Sequence, residues 1–286
     1  MFSERSRFHF SHSGFTLVEM IIVIVILGII AAVAGIFISG RVQQYQDLGL
    51  RAELSDTADT AARRLSRELH LAIPNTVRSA NASCVEFIPA YEGGRYRNAA
   101  DGAGAGNVFT TTQAITSFDV IGPLSTAPSN GDFLVIYNLG IPGADAYAPS
   151  DNRATLNGSS TTSLMSFASK QFPFESPGKK FQIVSGTERA VSYVCAGVGV
   201  DAKGNGTGKL YRVSGYGFVY PEPNTCASVT SAPILAQNIS ACSFTYDPGV
   251  RERTGLVALR LSLSKNVLQT SETVNLYYDV NVNNVP

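Results

Sequence analysis

The sequence predicts an α+β chain in which a long N-terminal helix packs on an antiparallel, β-rich C-terminal domain. Three observations predict it: a charge-free apolar run over residues 20–40, apolar side chains at helical spacing over residues 54–69, and strict alternation near the C-terminus.

The helix comes first. Twenty-one helical residues rise about 31 Å, the thickness of a bilayer's hydrocarbon core. Arg41 is the next charge, and no proline interrupts residues 41–72. Leu54, Ala58, Ala61, Leu65 and Leu69 recur at intervals of four, three, four and four. That spacing draws one apolar stripe down a helix, with Arg63, Arg64, Arg67 and Glu68 off it. Pro74 ends the run, because the residue before a proline is pushed out of the α region. A helix from Phe15 to about Ala72 would be about 87 Å long, with Gly28, Gly35 and Gly40 as its soft points.

Beyond Asn75 the period changes. Residues 256–263 put Val257, Leu259, Leu261 and Leu263 on one face. Residues 274–282 put Val274, Leu276, Tyr278, Val280 and Val282 inward, and Asn275, Tyr277, Asp279 and Asn281 outward. Both read as half-buried strands, antiparallel neighbours joined through residues 264–273. Shorter strands are expected at 84–88, 117–121, 133–139, 181–184, 190–195, 209–213 and 242–246. Turn-rich segments separate them, the longest at 98–107 and 144–162. No internal repeat is present, and no linker forces a further domain split.

The formal charge is zero over 286 residues, with 15% charged. No concentrated basic surface marks a nucleic-acid partner. Three histidines occur, His9, His12 and His70, so a histidine-based catalytic or metal site in the β-rich domain is excluded. Asp201-Ala202-Lys203-Gly204-Asn205-Gly206 opens like a calcium loop but continues with Lys203 and Arg212 where an EF-hand needs oxygen ligands. It reads as a hairpin turn leading into residues 210–213. The glycines of residues 102–106 lack the following Lys-Ser/Thr of a phosphate cradle and read as a mobile loop. No enzymatic activity and no cofactor are expected.

Four cysteines, Cys84, Cys195, Cys226 and Cys242, allow three pairings. Their spacings do not fit a zinc knuckle, and disulfides persist outside the cytoplasm. The preferred pairing is Cys226–Cys242 as a local loop with Cys84–Cys195 as the long tie.

Glu19 stands as a lone carboxylate at the start of the apolar run. Such a charge costs about 2.5–3.5 kcal/mol at mid-helix, and less near the interface, so a partner is expected. Residues 2–14 are polar, with Arg5, Arg7, His9 and His12 against Glu4. An ordinary secretory signal loses its apolar region on cleavage. Here a cut after Gly14 would keep the apolar segment and free an amine, the positive partner that Glu19 lacks. Removing Arg5 and Arg7 with Glu4 would leave the remainder at a formal −1. Arg5 and Arg7 also favour a cytoplasmic N-terminus, with the bulk exported.

Gly14-Phe15-Thr16-Leu17-Val18-Glu19 resembles the prepilin peptidase site of type IV pilins and type II secretion pseudopilins. The resemblance implies cleavage between Gly14 and Phe15, N-methylation of Phe15, and a Glu19 that neutralises the terminal amine of a neighbouring subunit. It implies a pilin-like division: leader 1–14, transmembrane helix half 15–40, exported amphipathic half 41–73 and β-rich domain 74–286. Residues 63–70 and 74–78 look like the post-membrane helix of J-type pseudopilins and related minor pilins. Residues 84–89, 94–97, 134–140 and 278–286 resemble a minor pilin of the mannose-sensitive haemagglutinin (MSHA) system. Its implied partners are prepilin peptidase, the inner membrane, and other minor pilins and the major pilin through the N-terminal helix. The implied location is a single-pass inner-membrane protein with a periplasmic bulk, then the pilus tip or base. A J-type pseudopilin is the alternative, and a membrane-tethered glycan-binding adhesin or enzyme the more distant one.

Overall fold

The computed structural model describes residues 14–249, 254–267 and 270–286. Residues 1–13 of the expected leader lie outside them. The chain divides into two compact units, one up to Leu50 and one over Arg51–Pro286. Helix α1, Leu17–His70, contributes to both. In the first unit it forms an apolar span, Leu17–Phe37, of mean hydropathy 3.2, long and apolar enough to cross a membrane.

In the second unit, Leu54, Ala58, Ala61, Ala62, Leu65 and Leu69 of α1 are almost fully buried. This is the expected stripe with Ala62 added. The helix ends at His70. Leu71 N and Ala72 N then bond to the carbonyls of Glu68 and Leu69 at 3.1 Å, a tighter 3₁₀-type closure before Pro74.

Among the described residues, twelve strands make two antiparallel sheets. In chain order they are β1 Cys84–Phe87, β2 Glu92–Tyr96, β3 Ile115–Ile121, β4 Phe133–Val135, β5 Arg153–Thr155 and β6 Leu164–Lys170. β7 Lys180–Val184, β8 Val191–Ala196, β9 Gly208–Ser214, β10 Ile234–Asp247, β11 Gly255–Val267 and β12 Thr270–Val282 follow. The first sheet runs β1-β8-β9-β10-β11-β12 and the second β5-β4-β7-β2-β3-β6.

The first sheet lies on α1. Val257, Leu259, Leu261 and Leu263 of β11 are buried, and β12 alternates as expected, with Val280 and Val282 most deeply covered. The two strands pair in one unbroken register, from Gly255↔Val282 to Val267↔Thr270. The expected 264–273 connection is therefore mostly strand, and only residues 268–269 separate the two. Ion pairs fix the helix to this face. Arg212 Nε on β9 donates to Glu68 Oε2 at 2.8 Å, and its Nη1 meets Glu188 Oε1 at 3.0 Å. Lys265 Nζ meets Glu53 Oε1 at 3.0 Å. Burial pulls the Arg212 pKa down, but the hydrogen bonds and charges of Glu68 and Glu188 outweigh it, and the net shift is upward.

The second sheet closes on an aromatic core. Tyr96, Phe109, Phe118, Phe167, Phe172 and Phe181 are buried together, several in edge-to-face pairs such as Phe109–Phe118 at 5.7 Å. Beside edge strand β1, Arg78 lies 3.4 Å from the Tyr147 ring centroid and pairs with Glu86 at 3.0 Å. A cation, an anion and an aromatic face thus join at one buried point.

The disulfides correct the expected pairing: they are Cys84–Cys226 and Cys195–Cys242. Strand alternation gives the reason. Cys84 lies opposite Val194 in the β1–β8 ladder, so the next residue, Cys195, points to the other face. Cys84 packs with Val194, Val213 and Cys226 on the face away from α1. Cys195 pairs in register with Leu210 and Cys242 with Leu261, both buried on the helix side. Each bridge joins two cysteines that share a face.

Other strand expectations need revision. β4 stops at Val135, not residue 139, because Tyr137 takes φ 50° and leaves the extended region. β10 begins at Ile234, eight residues before the expected start. β2, β5 and β6 were not anticipated, and β5 lies inside the turn-rich stretch 144–162.

Candidate functional site

The segment from Gly14 begins outside regular structure and enters α1 within three residues. Thr16 is the cap. Its Oγ1 accepts a bond from Glu19 N at 3.2 Å, and its carbonyl accepts from Met20 N at 3.2 Å. With Leu17 as the first helical residue, Glu19 is the third, so Thr16-Leu17-Val18-Glu19 follows the capping-box pattern of a Ser/Thr followed three residues later by Glu or Gln. A carboxylate in the first turn also meets the positive end of the helix dipole. Sequence reading singled out Glu19 and passed over Thr16, though the Thr-x-x-Glu signature was there to find it.

Gly14 and Phe15 sit just outside the cap. A Cβ built on Gly14 would meet nothing within 4 Å, so the chain's own fold does not demand glycine there. Phe15 is 74% exposed. The structure therefore brings Gly14, Phe15 and Glu19 into one short segment. A cut after Gly14 would leave the Phe15 amine directly before the cap and one helical turn from Glu19. From Leu17 to Ile30 the large apolar side chains are 41–76% exposed. Among the described residues nothing else in the first unit covers this surface, which suits lipid or neighbouring helices.

The other expected sites are local structure. Asp201 Oδ1 accepts from the backbone N–H groups of Lys203 and Asn205, both at 2.8 Å, and Oδ2 accepts from Asn205 Nδ2 at 2.9 Å. Residues 201–206 thus form the turn between β8 and β9. The Asn205 side chain holds the Asp201 carboxyl below its ordinary pKa, helped by the backbone bonds. Residues 101–106 repeat the Asp-x-x-Gly-x-Gly sequence and its closure, with Asp101 Oδ1 accepting from Ala103 and Ala105. The loop expected at residues 102–106 thus contains a hydrogen-bonded turn. His70 is exposed at the end of α1, its Nδ1 2.6 Å from the Ser66 carbonyl. The four cysteines are all in disulfides. Among the described residues no group of three or more His, Cys, Asp or Glu is placed to hold a metal.

Comparison with known proteins adds one finding. The prokaryotic N-terminal methylation motif matches residues 10–35, the segment containing Gly14, Phe15 and Glu19. The match supports a type IV pilin-like protein that is a substrate of prepilin peptidase and has pilus-assembly partners. No curated protein and no solved structure matched the chain.

Proposed function

We propose that this chain is a minor pilin that helps to start or cap a type IV pilus of the MSHA type, most like the O protein of that system. Prepilin peptidase cuts between Gly14 and Phe15 and methylates the new amine. The apolar residues of α1 serve first as the inner-membrane anchor and then as filament core, with the β-rich domain periplasmic before assembly. The role is contact between subunits, with no catalysis. The observation that carries this reading is the Gly14–Glu19 segment leading directly into an exposed apolar helix. The segments resembling an MSHA minor pilin support the finer assignment. The likeness of residues 63–70 to J-type pseudopilins favours a second reading, a secretion-system pseudopilin. Deleting the gene separates them: loss of MSHA pili with intact type II secretion is expected, and the reverse would overturn the assignment.

Glu19 has two physical roles that can be told apart. Glutamine at the third helical position preserves a capping box but carries no charge. If Glu19 acts as the counter-charge of a Phe15 amine, Glu19→Gln and Glu19→Ala should both be cleaved normally and both fail to enter pili. Normal piliation by Glu19→Gln would reduce the residue to a helix cap.

A further inference from the structure

Of the sheet edges among the described residues, three are closed by backbone pairing. β1 is covered by the segment before it, where Arg78 N and O both bond to Glu86 at 2.8 Å. The two edges of the second sheet meet each other, through the Leu156↔Phe167 bridge and the Asn157 N to Ser166 O bond at 2.9 Å. β12 is the exception. Its 13 residues pair with β11 on one side, and among the described residues no backbone bond reaches the other. Long edges are usually blunted by a lysine, a proline or a bulge. β12 contains no lysine, arginine, proline or glycine, and its register with β11 never shifts. Of its two charges, Glu272 lies opposite Lys265 near the β11–β12 turn, while Asp279 points away from the helix side.

Beside this edge runs a groove of about 450 Å³ lined by Thr60, Arg63, Ser66 and Arg67 of α1 and by Tyr278 of β12. Arg67 is exposed and has no carboxylate partner among the described residues, and the partner of Arg63, Asp59, is itself 44% exposed. A strand added to β12 would place the residue opposite Tyr278 on the helix-facing side, about 5 Å away between Cβ atoms. That side chain would enter the groove under the two guanidinium groups. The residues two before and two after it would face Leu276 and Val280.

We propose that the free edge of β12 docks an extended acidic segment of another protein as a thirteenth strand. The recognised pattern is apolar-x-acidic-x-apolar, with backbone bonds supplying affinity and the arginine groove supplying specificity. A second copy of this chain is the less suitable occupant. Between Val274 and Val282 the inward residues of its own β12 (Val274, Leu276, Tyr278, Val280 and Val282) include no acid, so a second β12 laid along this edge would bring no carboxylate to the two guanidinium groups. The inference holds whichever filament or secretion assembly the chain joins.

The test uses the full chain in detergent and two synthetic peptides. One is an eleven-residue peptide alternating threonine and valine with a glutamate at the central inward position. The other carries lysine there. The glutamate peptide should bind at least tenfold more tightly than the lysine peptide, and hydrogen exchange should slow across Thr270–Val282. Arg67→Glu, at an exposed position, should reverse the preference while leaving the fold unchanged by circular dichroism. Failure of the glutamate peptide to bind, equal binding of both peptides, or protection confined to α1 would overturn the proposal. So would concentration-dependent self-association that protects β12 without peptide.

Discussion

Arg212→Ala is expected to lower the unfolding free energy by about 3 kcal/mol, at the lower end of what breaking a buried ion pair costs. Arg212 is only 10% exposed and Glu68 17%, so alanine would strand a carboxylate between α1 and the sheet. Arg64, 3.2 Å from Glu68, would compensate in part, and Glu188, 44% exposed, would return to water. Lys265→Ala should cost no more than about 1 kcal/mol, because the Lys265–Glu53 pair is solvated, at 30% and 58% exposure. Joint replacement by Arg212→Met and Glu68→Leu should recover most of the loss, since a well-packed apolar pair can match a buried ionic one. Denaturant unfolding followed by near-ultraviolet dichroism measures all three. Equal costs for Arg212→Ala and Lys265→Ala would mean that the buried cluster does not hold the helix to the sheet.

Gly14→Val should abolish processing. The chain has open space for the new side chain, so it should fold and insert as the unsubstituted protein does. Any loss of cleavage then reports on the peptidase, which needs close approach to the Gly14–Phe15 peptide bond. In cells with prepilin peptidase the variant should accumulate as a precursor heavier by the leader, and should be absent from sheared pili. Cleavage at the normal rate would remove the glycine requirement.

The parts of the fold that could be read from the sequence are those with an uninterrupted period. The stripe Leu54–Leu69 and the alternation of β11 and β12 each run long enough for one buried face to dominate. β2 was hidden because its centre is Gly93-Gly94. There a Cβ would come within 3.0 Å of the Phe181 carbonyl and 2.9 Å of its ring, so close packing excludes the residues that usually mark a strand. β5 has three residues, too few for any period. β6 buries Met165 and Phe167 but dilutes them with serine, alanine and lysine. The disulfide pairing depends on which face of a ladder each cysteine occupies, and that follows from register between strands distant in sequence. The methylation motif around Gly14, Phe15 and Glu19 was legible because it is contiguous. The β12 groove was not, because Arg67 and Tyr278 meet only through the fold.

Mass spectrometry of the mature N-terminus tests the account most directly. The protein purified from cells with prepilin peptidase should begin at N-methylated Phe15. A chain that still begins at Met1 in those cells would contradict it.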